Sequence, residues 1–441
     1  MRMIDLIEKK RDGEALSEAE IQFFIQGVTQ KKIPDYQIAS LLMAIVLRGM
    51  TDDETADLTI AMANSGDVLD LSAIPGVKVD KHSTGGVGDK CTPILLPLLA
   101  SFGVPVVKLS GRALGFTGGT IDKFESIEGF QCEIAPEAFP KHIEKCGMLL
   151  AGQSEKIAPA DKALYALRDV TGTVPSIPLI ASSIMSKKLS GGADAIVLDV
   201  TCGKGAFMKT LDDARKLAQM NMSIGKLCCR PVSCVISSME QPLGHRVGNV
   251  LEMLEVMDVL HGHGQEDIVN VVSTLAAEML LHTPYGEGKT SKALEGEAIA
   301  KLRTGEVNDK FIELILSQGG KIDSNGMPIF VERPCEIMKV MATKSGYISR
   351  CDALGVGEAS VLLGAGRMKK TDAIDFGAGV EVHRKIGDYV NRGDVLYSLY
   401  KGSKATVDED ILSAALDKME NVFEICDEKT ERPIEILDIL R

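Results

Sequence analysis

Two stretches of this chain share one order: an apolar extended run, a loop of glycines and hydroxyls, then a helix start. In the first, Val77 and Val79 lead into Lys81-His82-Ser83-Thr84-Gly85-Gly86-Val87-Gly88-Asp89. Thr92 and Pro93 are placed as N-cap and first residue of the helix that follows. In the second, a strand over Val104–Leu109 runs into Ser110-Gly111-Arg112 and Thr117-Gly118-Gly119-Thr120-Ile121-Asp122-Lys123, with Thr120 expected to cap the next helix. Glycines let backbone N–H groups turn inward, and a helix N-terminus adds partial positive charge, so each loop is suited to cradle an anion. Lys81, Ser83 and Thr92 add a charge and two hydroxyls, and His82 can give or take a proton. Two such strand ends in one sheet can close on a single phosphate from both sides. Neither loop matches the nucleotide P-loop or the dinucleotide fingerprint, so the expected ligand is free phosphate or a phosphate ester.

The rest of the chain supplies a frame for these loops. Residues 1–66 read as helices: Ser17-Glu18-Ala19-Glu20 has capping-box spacing, Ile38, Leu41, Leu42 and Ile45 share a face, and Thr51 opens another helix. Ser65-Gly66-Asp67 marks a hinge. Strand-like runs at Val104–Leu109, Met148–Ala151, Ile196–Val200 and Val232–Ser237 alternate with helical ones, which argues for a mostly parallel sheet covered by helices. A helical insertion at about 160–195 is expected to join the N-terminal helices in space. From about 345, short strands punctuated by Gly-Asp turns resemble the rhythm of lipoyl and biotinyl carriers, without the Met-Lys-Met hairpin. Gly364-Ala365-Gly366-Arg367 reads as a tight turn. The expected fold is α/β in three lobes. A helical one (1–66 plus about 160–195) meets a mostly parallel sheet lobe (67–335), and a smaller α+β lobe follows (336–441).

Composition narrows the function. A net charge of −13, no Trp and 4% aromatic residues oppose a nucleic-acid surface, which needs a basic footprint and stacking platforms. No apolar run is long enough for a membrane span, and the charged first residues lack a signal-peptide core. Ten cysteines without a Cys-x-x-Cys pair read as thiols in a reducing cytoplasm.

Larger motifs then point to a family. Lys81–Asp89, Ser110–Glu125, Ala158–Lys162 with Tyr165–Asp169, Ser176–Lys188 and Gly205–Met208 together resemble the pyrimidine nucleoside phosphorylase and thymidine phosphorylase family, whose relatives include anthranilate phosphoribosyltransferase. The resemblance runs over nearly the whole chain. It implies reversible phosphorolysis of uridine, deoxyuridine or thymidine to free base and (deoxy)ribose 1-phosphate, with inorganic phosphate as co-substrate and no organic cofactor. It further implies a cytoplasmic homodimer, joined through the helical lobe, that closes on its substrates. By motif, Lys81, Ser83, Thr92, Lys108, Ser110 and Thr120 would hold phosphate. His82, Tyr165, Arg168, Ser183 and Lys187 would hold the nucleoside, with Leu114, Val174, Ile180 and Phe207 lining the base pocket. His82, Arg168, Ser183 and Lys187 are the expected catalytic set. Arg168 and Lys187 can grip the base harder as it takes up negative charge, and His82 is the proton donor to a base oxygen.

Singly, these residues have ordinary readings: Arg168 and Lys187 as solvated charges, His82 as a turn residue, Ser183 as a hydroxyl bonding its own helix. Only their joint placement carries the function. The chain also departs from the family pattern. Phe116 stands where His is usual, Gly172 replaces Ala, and Cys202 replaces Lys. Family members often carry potassium, and the matching positions are Gly88, Lys90, Leu243, Arg246 and Glu255. Lys90 and Arg246 are basic, so potassium binding is expected to be weakened or lost, with one of them pairing Glu255. Two other readings remain. One is a phosphoribosyltransferase of the same fold, with Asp122 and Glu125 as the nearest magnesium ligands. The other is a catalytically silent nucleoside-binding protein.

Overall fold

The computed structural model describes residues 1–112, 118–369 and 372–441. Four helices open the chain: α1 (Met3–Arg11), α2 (Glu18–Thr29), α3 (Asp35–Arg48) and α4 (Asp52–Ala63). The capping box at Ser17 forms as its spacing requires, and Thr51 makes a second with Glu54. Glu54 is buried and also accepts from Lys10 Nζ at 2.7 Å, which ties α4 to α1.

Alternation begins next. The chain runs through β1 (Val79–Ser83), α5 (Cys91–Ser101), β2 (Val106–Ser110), α6 (Thr120–Glu125), α7 (Phe139–Cys146) and β3 (Met148–Gly152). The insertion is two helices, α8 (Pro159–Thr171) and α9 (Ile177–Ser190), and then come β4 (Ala195–Cys202), α10 (Leu211–Leu227) and β5 (Val232–Ser238). After β6 (Arg246–Val247) four helices follow, α11 (Asn249–Leu260), α12 (Glu266–Leu281), α13 (Ser291–Leu302) and α14 (Glu306–Ser317). The last part holds β7 (Pro334–Met341), β8 (Gly346–Cys351), α15 (Ala353–Leu362), β9 (Gly379–Val382), β10 (Tyr389–Val390), β11 (Val395–Gly402), α16 (Glu409–Met419), β12 (Phe423–Cys426) and β13 (Ile436–Leu440).

The main sheet has the order β1-β4-β5-β13, parallel through β5 and antiparallel at β13. β2 and β3 form a separate parallel pair, so the two cradle strands do not share one hydrogen-bonded sheet. A side chain spans the gap instead, as Lys108 Nζ donates to Lys81 O at 2.6 Å. The final strand also returns to the main sheet rather than staying among the C-terminal strands, which form two small sheets, β10-β8-β12 and β6-β9-β11-β7.

The apolar cores explain which parts act as units. Met3, Leu6, Phe24 and Leu42 pack with Ala160, Leu164 and Leu179, so the insertion does join the N-terminal helices. The α/β and C-terminal lobes share a different, continuous core, from Val79 and Leu96 through Ile348 and Val380 to Leu399. Between them lies α9, whose Ala181, Ile184 and Met185 pack on Leu198 of β4 and Leu217 of α10. At the crossing, Gly66 has no room for a side chain: a Cβ would sit 2.0 Å from Lys156 O. No described helix is long and apolar enough to cross a membrane.

Candidate active site

Both helix starts are displaced by one or two residues from their expected places. α5 begins at Cys91, where Asp89 Oδ1 accepts from Cys91 N at 3.1 Å, so Thr92 lies inside the first turn. α6 begins at Thr120 itself, with Gly119 as N-cap. Lys81, His82 and Ser83 belong to β1 and the glycine loop starts after them. The loop is held on the sheet: Thr84 Oγ1 and Thr201 Oγ1 are 3.0 Å apart, and Thr84 N donates to Asp199 O. Gly85 (φ +101°) and Gly88 (φ +76°) take left-handed backbone that favours glycine, and a Cβ on Gly88 would meet Leu243 O at 2.7 Å.

A cleft of about 400 Å³ opens above these strand ends. On one side it is lined by Lys81, His82, Ser83, Thr92, Lys108, Ser110 and Thr120, and on the other by Tyr165, Arg168, Val174, Ile180, Ser183, Lys187 and Phe207. Among the residues expected for phosphate and nucleoside, only Leu114 is missing from this lining; it lies with Phe116 outside the described residues.

Four lysines converge here and each is matched by a buried carboxylate. Lys81 Nζ lies 3.4 Å from Asp89 and 3.2 Å from Asp199. Lys108 and Lys188 share Asp80, at 3.1 and 2.6 Å. Lys187 pairs with Asp161 at 2.7 Å and donates to Ser183 Oγ at 2.8 Å. Burial opposes charge on Lys81, yet its two carboxylates raise its pKa above the usual lysine value. Burial and the like charges of Lys188 and Lys81 bring Lys108 down to about 7 against the pull of Asp80. Asp89, Cys91 and Asp199 bring their ligand atoms within 4.8 Å of one another, but Lys81 holds both carboxylates of that group.

Two expected roles change in detail. Burial, reinforced by Lys188, Lys108, Lys187 and Lys81, holds the His82 pKa well below 6.5. Its imidazole is therefore held neutral, and it is not the ready proton donor that an unperturbed histidine would be. Arg168 is buried, and it does not extend into solvent awaiting a base. Its guanidinium donates to Thr173 O (3.1 Å), Leu179 O (3.1 Å) and Val174 O (2.7 Å), which folds the α8–α9 connection over the cleft. Of its five N–H donors, two have no partner among the described residues.

Sequence reading missed Asp80, Asp161, Asp199 and Lys188. Asp199 was the most accessible of them, a lone carboxylate inside the apolar run Ile196-Val197-Leu198. Gly88, Leu243 and Glu255, matched to potassium, surround a different cation. Lys90 Nζ is fully buried and donates to Leu243 O (2.7 Å), Arg246 O (2.8 Å) and Glu255 Oε2 (2.6 Å).

The neutral state of His82 is directly observable. In substrate-free protein the His82 ring-proton resonance, assigned with His82→Gln, should stay at its neutral position as pH falls from 8 through 6.5. A midpoint at or above about 6.5 would show that the four ammonium groups do not suppress its charge.

Known proteins share this plan. Residues 4–66 match the helical bundle domain of a glycosyl transferase family, 76–307 match its a/b domain, and 347–424 match the pyrimidine nucleoside phosphorylase C-terminal domain. The pyrimidine-nucleoside phosphorylase of Staphylococcus haemolyticus is 51% identical over 410 residues, 93% of this chain and 94% of that one. That of Staphylococcus epidermidis is 47% identical over 441 residues, the whole of both. Anthranilate phosphoribosyltransferase from Thermus thermophilus shares the fold, with a TM-score of 0.57 at 21% identity, covering 71% of this chain and 99% of that one. A helical bundle, an α/β cradle and this C-terminal lobe, matched end to end at about half identity, place the chain in the pyrimidine nucleoside phosphorylase family.

Proposed function

We propose that the cleft exchanges the glycosidic bond of uridine, deoxyuridine or thymidine for a phosphate ester, with Lys81, Ser83, Thr92, Ser110 and Thr120 holding phosphate and Lys108 beside it. The observation that carries this reading is that one cleft is lined by both halves of the expected constellation. A phosphate oxygen attacks C1′ as the C1′–N1 bond breaks, and the bonding pair leaves with the base. Positive charge builds on the sugar, next to the phosphate's own negative charge. Negative charge builds on the pyrimidine, toward Lys187 and the free N–H groups of Arg168, which bind it more strongly than they bind the neutral ring. Val174, Ile180 and Phe207 offer the ring an apolar wall. Ser183 orients Lys187.

His82 fits this sequence once phosphate is present. Burial and the four lysines keep it neutral, and a phosphate dianion compensates the lysine charges, so phosphate binding raises its affinity for a proton. It then hydrogen-bonds a base oxygen and protonates it as charge develops. The acids nearest a diphosphate-type magnesium site do not support the transferase alternative: Asp122 pairs with Arg112 and Arg367, and Glu125 with Arg112.

Uracil or thymine release should require inorganic phosphate. Lys187→Met should lower kcat by about 10² to 10³ at saturating nucleoside, the usual cost of removing one charge-stabilising donor. Phosphate-independent release, or an unchanged kcat, would refute these assignments.

Potassium does not fit. The oxygens that would coordinate it are taken by Lys90, and Glu255 sits below its usual carboxylate range because this ammonium outweighs the effect of burial. The reading is that Lys90 serves as a covalently attached cation, so neither turnover nor melting temperature should change when NaCl replaces KCl at equal ionic strength. Lys90→Thr strands Glu255 and should destabilise by about 3–5 kcal/mol, with partial recovery in KCl but not NaCl. Wild-type turnover that rises with K⁺ alone would overturn it.

A homodimer through the helical lobe is supported by α3, where Tyr36, Met43 and Leu47 fall on one exposed face, at 72%, 38% and 75% exposure. Closure of that lobe over the cleft is supported by its separate apolar core. Small-angle scattering tests both, through a mass of two chains and a smaller radius of gyration with phosphate plus nucleoside. A single-chain mass would exclude the dimer, and an unchanged radius would exclude the closure.

A further inference from the structure

The Gly364–Arg367 turn lies in the C-terminal lobe, yet its last side chain reaches Asp122, two residues beyond the cleft-lining Thr120. The turn is fixed at several points. Ala365 N donates to Ser360 O at 3.0 Å, Asp375 N to Gly364 O at 2.9 Å, and Asn249 Nδ2 to Ala365 O at 2.8 Å. Gly364 has φ +107°, and a Cβ there would lie 3.1 Å from Asp375. Arg367 therefore leaves this turn in a set direction. Its Nη2 lies 3.0 Å from Oδ1 of Asp122, whose side chain is 1% exposed.

Asp122 stands two residues after Thr120, and Gly118, Gly119 and Thr120 line the cleft. Two consecutive glycines have no side chains with which to hold their own place, so neighbouring groups must set where their backbone runs. Lys123 does part of this, with Nζ donating to Asp89 O at 3.0 Å and pairing with Glu252 at 3.1 Å. Arg112 approaches Asp122 from the other side at 3.5 Å and donates to Glu125 at 2.6 Å. Arg367 alone among these contacts comes from the C-terminal lobe, which shares its core with the cradle strands and so offers a rigid reference.

Stability is a poor explanation for this pair. Arg367 Nη1 is buried with no hydrogen-bond partner among the described residues. A buried ion pair with an unsatisfied donor contributes little over an apolar side chain of the same length. What it does supply is a fixed place for Asp122, and hence for the three cleft-lining residues just before it.

We infer that Arg367 is a positioning residue for phosphate: through Asp122 it sets the backbone of Gly118 and Gly119 and the hydroxyl of Thr120. This rests on the reading of that segment as part of the phosphate cradle. A shift of about 1 Å in such a segment can cost up to roughly 10²-fold in rate.

The test uses full-length protein and inorganic phosphate, with calorimetric Kd, steady-state KM for each substrate, and melting temperature. Arg367→Met should weaken phosphate Kd and KM by roughly tenfold and leave nucleoside KM at saturating phosphate within about twofold. Arg367→Lys should recover part of the phosphate affinity. Unchanged phosphate affinity in Arg367→Met overturns the inference, whether or not the melting temperature falls. Should that variant not fold, Asp122→Asn decides by the same criterion. Thr120→Val separates the two levels. If it too leaves phosphate affinity unchanged, the cradle assignment itself is wrong; if it weakens phosphate and Arg367→Met does not, only the positioning role falls.

Discussion

Four ammonium groups within one cleft repel each other, and the site exists because four carboxylates, three of them buried, hold them. Asp80 sits between Lys108 and Lys188, Asp89 and Asp199 flank Lys81, and Asp161 takes Lys187. Without these partners the lysines would shed protons or swing toward water, since desolvation and like charge act together on each of them. The pairing also leaves the cleft tunable. Lys108 titrates near 7 and His82 is held neutral, so a phosphate dianion arriving there changes protonation as well as charge.

The same pairs divide the work between lobes. Lys81 and Lys108 are bound to carboxylates of the sheet half, whereas Lys187 is bound to Asp161 of α8. Lys188, next to Lys187 in the chain, instead reaches across to Asp80 on β1. Successive residues of α9 are thus committed to opposite sides of the cleft. The helix packs both on the helical lobe and on β4.

Much of this was legible in the sequence, for identifiable reasons. Strands β2 to β5 are largely buried on both faces and appear as mostly apolar runs broken by single polar residues such as Lys108 and Asp199, and capping boxes at Ser17 and Thr51 are local devices that need no tertiary help. The helix starts at Thr92 and Thr120 were misplaced slightly because Lys90 and Gly119 occupy the N-cap positions, with Asp89 accepting from Cys91 N. The split between the two cradle sheets had no local signal, since β1 meets β2 through the Lys108 side chain and not through backbone pairing. β13 was missed because Ile436-Leu437-Asp438-Ile439-Leu440 becomes a strand only against β5. Asp80 and Lys188 drew no attention as single residues, because their pairing depends on partners 28 and 108 residues away.

The loop at 242–246 shows how a buried lysine can do the work of an ion. Lys90, at the end of the first glycine loop, holds the carbonyls of Leu243 and Arg246, and Lys385 of the C-terminal lobe holds those of Pro242 and Gly244 at 2.7 and 3.0 Å. Each ammonium also has its own carboxylate, Glu255 for the first and Asp267 for the second. Carbonyls converging without a cation would repel, so the loop keeps this shape only while both charges are present. A free ion would fill such a cage at a cost in concentration and entropy that a tethered ammonium does not incur. One lysine comes from the cradle and the other from the lobe behind it, so the loop fastens the two together.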